Sequence, residues 1–306
     1  MDNKNVFFYE PWPAISYREA ESTLYLLHRC AQIIGKLKLT EPFEPHWDGV
    51  ILHLTSRGFT TGPLNYRCAA YSIDMDLIDH QIICTTSWGK IKKCKLTNMS
   101  IAEFTQIFFN LLRECDIDTT INFMPMEVPD AVLFTNDTEQ RSYTAEISTQ
   151  WHHILLNTHR VMQRYHAKFR GRTPPIGLMW GTLDFRDVRY KCTPLPIADF
   201  KSDYIRRNAM DDAQIEAGWW CGSAAYPRPA FFSFTYPKPV DIELVTIQPD
   251  AARWDAAMAE FLLDYDDLRQ SDDPDRDLLL FFESTYQAGA ERANWNPELV
   301  SSGKPV

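Results

Sequence analysis

Residues 230–236 read Ala-Phe-Phe-Ser-Phe-Thr-Tyr, an alternation without a break. Phe232, Phe234 and Tyr236 fall on one side; Phe231, Ser233 and Thr235 fall on the other. A period of two belongs to a half-buried strand and to nothing helical. Just upstream, residues 216–222 read Glu-Ala-Gly-Trp-Trp-Cys-Gly. The flanking glycines suggest a loop that carries Trp219, Trp220 and Cys221. Two adjacent tryptophans cannot both enter one core, so at least one is expected to line a cleft. The stretch says where a ligand would sit, and leaves the reaction open.

Charge narrows the partners. The net charge is −10, and the segment from Asp241 to Glu298 holds fifteen Asp or Glu against four Arg. An acidic chain repels phosphate backbones, so nucleic acid is not an expected partner. The acidic segment itself reads as a solvated surface. Seven cysteines without a C-x-x-C pair argue against both a disulfide framework and a structural zinc site, so no metal is assigned. A reducing, cytoplasmic setting is the simplest expectation. The first residues lack the basic start and apolar run of a signal peptide, and no apolar run has the length of a membrane span.

Taken in order, residues 1–16 read as an irregular extension broken by Pro11 and Pro13. A helix is predicted from Tyr17 to about Gly35. Strands follow at 50–55, 71–77, 81–86 and 91–96, with polar turns between them, which is the pattern of an antiparallel meander. Ser100-Ile101-Ala102-Glu103 forms a capping box, and the helix it opens is expected to bury Phe104, Ile107, Phe108, Leu111 and Leu112. A strand near 120–128 is interrupted by Pro125. The second half opens with a long helix over 144–170. Strands are then expected at 176–185 and 188–192. Alanine-rich 251–263 reads as helix, and Asp273-Pro274 starts a last helix. The fold class is therefore α+β: antiparallel sheets packed by helices in two similarly ordered halves, 17–135 and 136–306. His28-Arg29-x-x-Gln32 recurs as His159-Arg160-x-x-Gln163, which raises an internal duplication as a hypothesis.

The ordered motifs point to a family. His46-Trp47, Arg57-Gly58, Asp79-His80, Trp180-Gly181 with Asp184, Gly218-Trp219, 230–237 and Ser284-Thr285-Tyr286 together resemble a bacterial domain of unknown function, number 5996. The resemblance runs from about Trp12 to Trp295 and implies no activity. The chain is similar to a divergent member. Gly177 stands where the family pattern has a histidine. Lys191-Cys192 stands where Ser-Gly-Arg is expected, and Cys221 replaces a proline.

The expected function is an enzyme, or former enzyme, acting on a small organic molecule between the two halves. Trp47, Trp180, Trp219, Trp220 and Tyr236 would wall the pocket. His46 or His80 would move protons, since imidazole titrates near neutrality. Asp184 would join them, and Arg189 would orient a polar group. The cofactor is left unknown. The alternatives are a non-catalytic small-molecule-binding module and an acidic scaffold for a protein partner.

Overall fold

The computed structural model describes residues 10–43, 48–129, 131–196, 205 and 210–300. The first half contributes α1 (Tyr17–Gly35), β1 (Ile51–Thr55), β2 (Gly58–Thr60), β3 (Leu64–Tyr66), β4 (Ala69–Asp76), β5 (Gln81–Thr86), β6 (Ile91–Lys95) and α2 (Ile101–Glu114). The second contributes α3 (Ala145–His166), β7 (Gly177–Met179), β8 (Phe185–Pro194), β9 (Asp212–Trp220) and β10 (Ala230–Tyr236). It ends with β11 (Arg253–Asp255), β12 (Glu260–Asp264), α4 (Tyr265–Arg269) and α5 (Pro274–Arg292).

The strands form one twelve-stranded sheet in the order β11-β12-β10-β9-β8-β7-β1-β2-β4-β5-β6, with β3 paired on β4. Every named pairing is antiparallel, so the α+β class stands. The halves meet at β1 and β7, where Ile51, Leu52 and His53 oppose Met179, Leu178 and Gly177. A Cβ on Gly177 would lie 2.1 Å from Ile51 Cγ2 and 3.0 Å from Leu52 O, so the seam is close-packed at this glycine. Each half runs helix, meander, helix. That shared order is not evidence of duplication, and the repeated motif behaves differently in its two copies. His28 and Gln32 hold a backbone carbonyl at the sheet centre, whereas His159 packs on Phe185 and Arg160 pairs with Asp275.

The helices build one side of the second half. Phe231 meets Phe282 of α5 edge-on at 6.1 Å, and Trp219 meets Tyr265 at 6.3 Å. By strand periodicity and register, Phe185, Asp187 and Arg189 of β8 share this side with Ile215, Ala217 and Trp219 of β9. Residues between them point to the other face. The capping box at α2 is present: Ser100 Oγ accepts from the Glu103 N–H at 3.1 Å, and Glu103 accepts from the Ser100 N–H at 2.8 Å. Phe104, Phe108, Leu111 and Leu112 are buried, but Ile107 stays exposed. Asp273 caps α5 by accepting from the Arg276 N–H.

Four local expectations are corrected. Residues 120–128 form no strand. Side chains of α1 and of the residue just after it satisfy this backbone instead: the Met126 N–H donates to Gln32 Oε1 (2.9 Å), and Lys36 Nζ donates to Met124 O (2.6 Å). The span 176–185 is broken by a turn at 180–183 in which Leu183 takes a positive φ of 67°, so Asp184 lies at a turn. Residues 216–220 are strand, because β9 continues to Trp220. Residues 251–263 are a hairpin, not a helix. Asp255 Oδ1 accepts from the N–H groups of Ala257 and Met258, both at 3.0 Å, and this side-chain turn overrides the helix propensity of the alanines.

Candidate functional site

The face of the sheet away from α5 carries the most distinctive group of side chains. Gly218 sits in the middle of β9, between Arg186 on β8 and Phe232 on β10. A Cβ at Gly218 would lie 2.6 Å from Phe185 O, 2.8 Å from Phe232 Cζ and 2.9 Å from Arg186 Cβ. The missing side chain leaves the space over the strand that the tip of the Phe232 ring occupies. Glycine is needed here for close approach.

Aromatic walls stand around that point. Trp220 stacks on Tyr226 at 5.7 Å, and Phe232 stacks on Phe234 at 6.5 Å. With Ala230, Leu262 and Met258 they form a small apolar cluster separate from the main core. Trp220, Phe232, Phe234 and Met258 of this cluster line an open cavity of about 210 Å³. Three carboxyl groups also line it: Asp184 from the β7–β8 turn, Glu216 from β9 and Glu260 from β12.

The electrostatics of these carboxyls set the site apart. Burial pushes Glu260 up to about 8, and the charges of Glu216, Asp184 and Asp255 add to the rise. Burial pushes Glu216 up to about 7 despite the Arg186 charge, with Asp184 and Glu127 contributing. Burial raises Asp184 to about 6 against the pull of Thr182 and Arg186. Loss of hydration thus dominates in each case. Arg186 and Glu216 form an ion pair whose side chains are only 4% and 6% exposed. Glu260 has no hydrogen-bond or ion-pair partner among the described residues.

The turn that carries Asp184 is held from behind. Gly181 O accepts from His28 Nε2 at 2.8 Å and from Gln32 Nε2 at 2.9 Å. Arg29 donates to His28 Nδ1 at 3.1 Å, which places the imidazole proton on Nε2. Burial and the neighbouring Arg29 charge pull His28 down to about 3, so this clamp is a neutral ring.

The sequence profile of a family described as a family of unknown function, DUF5996, matches residues 12–302. The chain belongs to the DUF5996 family. The DUF5996 match takes in every residue of the cavity just described. No curated protein and no solved structure matches the chain. Among the described residues, no group of three or more His, Cys, Asp and Glu is arranged to hold a metal ion, and no helix is long and apolar enough to cross a membrane.

Within this DUF5996 fold, the residues singled out by sequence go to different places. Asp184 and Trp220 reach the cavity. Trp180 and Trp219 are fully buried in the main core. Arg189 is enclosed on the helix side, 3.4 Å from the Tyr165 ring centre and 4.4 Å from that of Tyr286, and it donates to Tyr165 O at 2.6 Å. It therefore does not meet Asp184. Tyr236 is half-buried on β10, one repeat beyond Phe234 and outside the cavity lining. His80 lies in the β4–β5 turn, where Nδ1 is 2.8 Å from the Tyr143 hydroxyl. Burial, partly offset by Asp76 and Glu146, lowers its pKa. His46 and Trp47 lie outside the described residues.

Sequence reasoning missed Glu216, Glu260, Phe232, Phe234 and Met258 as lining residues. The alternation at 230–236 placed Phe232 and Phe234 on one face, and that signal was available. Glu260 was hidden by the helical reading of its segment. Two larger hollows lie elsewhere, about 520 Å³ beside α2 and about 410 Å³ along α5. In the first, Glu103 already accepts from Ser100 and Gln140; in the second, Glu283 is paired with Lys168.

Proposed function

We propose that this protein acts on a small organic molecule at the open face of β8, β9, β10 and β12, with carboxyl groups moving the protons. One observation carries the reading: three carboxyls raised into the neutral range converge on a cavity walled by Trp220, Phe232 and Phe234. General acids and bases work best when their pKa lies near the operating pH, and burial is the usual means of raising a carboxyl there. Asp184 and Trp220 keep the roles expected of them from sequence, as acid–base group and aromatic wall. Glu216 and Glu260 take the place of the histidines. Burial pushes the Cys221 thiol up to about 12, so it is not proposed as a nucleophile. The cavity is smaller than the roughly 300–1,000 Å³ that drug-sized ligands occupy, which favours a small metabolite.

A non-catalytic binding module is the second reading. The Arg186–Glu216 pair favours it, since a carboxylate held in an ion pair is a poor proton shuttle. Native mass spectrometry after incubation with a metabolite extract tests the site itself. Wild type should retain a small molecule that Trp220→Ala and Phe232→Ala lose. Equal retention by all three would overturn the assignment. Turnover of the retained molecule by wild type, lost in Glu216→Gln and Glu260→Gln, separates enzyme from module.

A further inference from the structure

We propose that the ligand of this cavity is a small organic cation, an ammonium group carried on an apolar or aromatic body. The inference rests on the preceding assignment of the cavity and names the chemical class it takes. Two independent features of the lining select the same sign of charge.

The first is the balance of ionisable groups. Asp184, Glu216 and Glu260 line the space, and the charges of Asp255 and Glu127 act on them. The guanidinium that offsets them among the described residues, Arg186, is already paired with Glu216. Glu260 is left without a partner among the described residues. Among the described residues, an anionic ligand would meet several carboxylates and no uncommitted cation. A cation supplies the missing partner for Glu260 and offsets the burial and the neighbouring charges that raise it.

The second feature is the walls. Trp220, Phe232 and Phe234 line the space, and the face of an aromatic ring is its electron-rich surface. Indole is the strongest of these surfaces for an ammonium group, and the ring stack also takes an apolar body. Carboxylates alone would suit a hydrated metal ion. Carboxylates opposite aromatic faces suit an organic cation with a hydrophobic part. Glu260 on β12 and Trp220 on β9 stand two strands apart, so the charge and the body of one ligand can be held at the same time.

Binding of such a cation is linked to protons. Near neutral pH the carboxyl group retains protons that a bound ammonium would displace. Affinity for a permanent cation should therefore rise with pH across the range in which these carboxyls ionise.

Four probes of one shape test the class by calorimetry: benzylammonium, benzyltrimethylammonium, benzyl alcohol and benzoate. The two cations should bind, the alcohol weakly and benzoate not at all. Glu260→Gln should weaken the cations roughly ten- to hundred-fold while leaving the alcohol unchanged. The amide replaces an unpaired carboxyl, so the variant should fold, and its melting curve confirms that. Benzyltrimethylammonium should bind more tightly at pH 8.5 than at pH 6, and benzyl alcohol should show no such trend. If the alcohol or benzoate binds as well as the cations, and Trp220→Ala abolishes that binding, the cavity stands and the cation class fails. If none of the four binds at millimolar concentration, the cavity assignment fails as well.

Discussion

Trp219 and Trp220 are neighbours in the chain and lie on opposite sides of one sheet. Trp219 has no exposed surface and packs edge-on against Tyr265, while Trp220 is partly exposed and stacks on Tyr226 beside the carboxyl cavity. Period two makes this unavoidable once β9 is a strand, and it divides the two indoles between stability and site.

The first prediction follows from that division. Trp219→Ala empties a core position with no way to refill it, and should cost about 3–5 kcal/mol. Trp220→Ala should cost clearly less, because part of the ring is already wet. Urea denaturation of both variants measures the difference. Equal losses would mean that Trp220 is a core residue and not a cavity wall.

The division also shows how much the sequence disclosed. The alternation at 230–236 placed every side chain of β10 on its proper face. Two adjacent tryptophans were expected not to share a core, yet both were placed in the pocket wall, and only Trp220 reaches the cavity. Local signals of this kind survive folding because they are geometric. What the sequence hid was the convergence of distant residues. Glu260 reaches Glu216 only because Asp255 turns an alanine-rich segment into a hairpin that pairs with β10. Arg189 and Asp184 were both expected at the pocket. A turn ends at Asp184 and a strand begins at Phe185, so the odd spacing sends the two to opposite faces.

Gly218 gives the second prediction. Its neighbours leave no room for a methyl group, and one of them, Phe185 O, is backbone that cannot move aside. Gly218→Ala should destabilise by about 1–3 kcal/mol and displace the Phe232 ring. Thermal melting gives the first quantity, and the near-ultraviolet circular dichroism of the aromatic cluster gives the second. A variant that melts with wild type and keeps its aromatic signal would show that the close approach of Phe232 to β9 is not as drawn.

The third prediction concerns the buried ion pair. Arg186→Met leaves Glu216 in a low-dielectric space without its cation, which should cost about 3–5 kcal/mol where the carboxylate is ionised. Glu216 would escape that cost by binding a proton, so the loss should shrink as pH falls. Arg186→Met combined with Glu216→Leu removes both charges and should recover most of the stability. A double-mutant cycle at pH 8 and pH 5 measures the coupling. A coupling that is the same at both values would refute a pair controlled by Glu216 ionisation.

The last prediction sets the cavity against the histidines. A carboxyl whose pKa is higher in the folded chain keeps its proton where the unfolded chain has lost it. Its stabilising effect is complete at pH values below the unfolded pKa and disappears as pH climbs through the folded one. For Glu260 that window runs from the ordinary value of 4.5 to about 8. His152 works in the other direction. It is fully buried, and burial pulls it down to about 4, so its contribution is complete above the ordinary value of 6.5 and is lost as pH falls towards 4. Stability should therefore fall from pH 5 to pH 8 on account of Glu260, Glu216 and Asp184, and fall again on acidification on account of His152 and His28. Glu260→Gln cannot ionise and should flatten the alkaline limb, so that the variant is more stable than wild type at pH 8 and close to it at pH 5. Its neighbours Glu216, Asp184 and Asp255 gain as well, since each loses a repelling charge. Chemical denaturation across pH 4 to 9 compares the two curves. Parallel curves would mean that Glu260 titrates as an ordinary surface carboxylate, and the electrostatic basis of the site would then be lost.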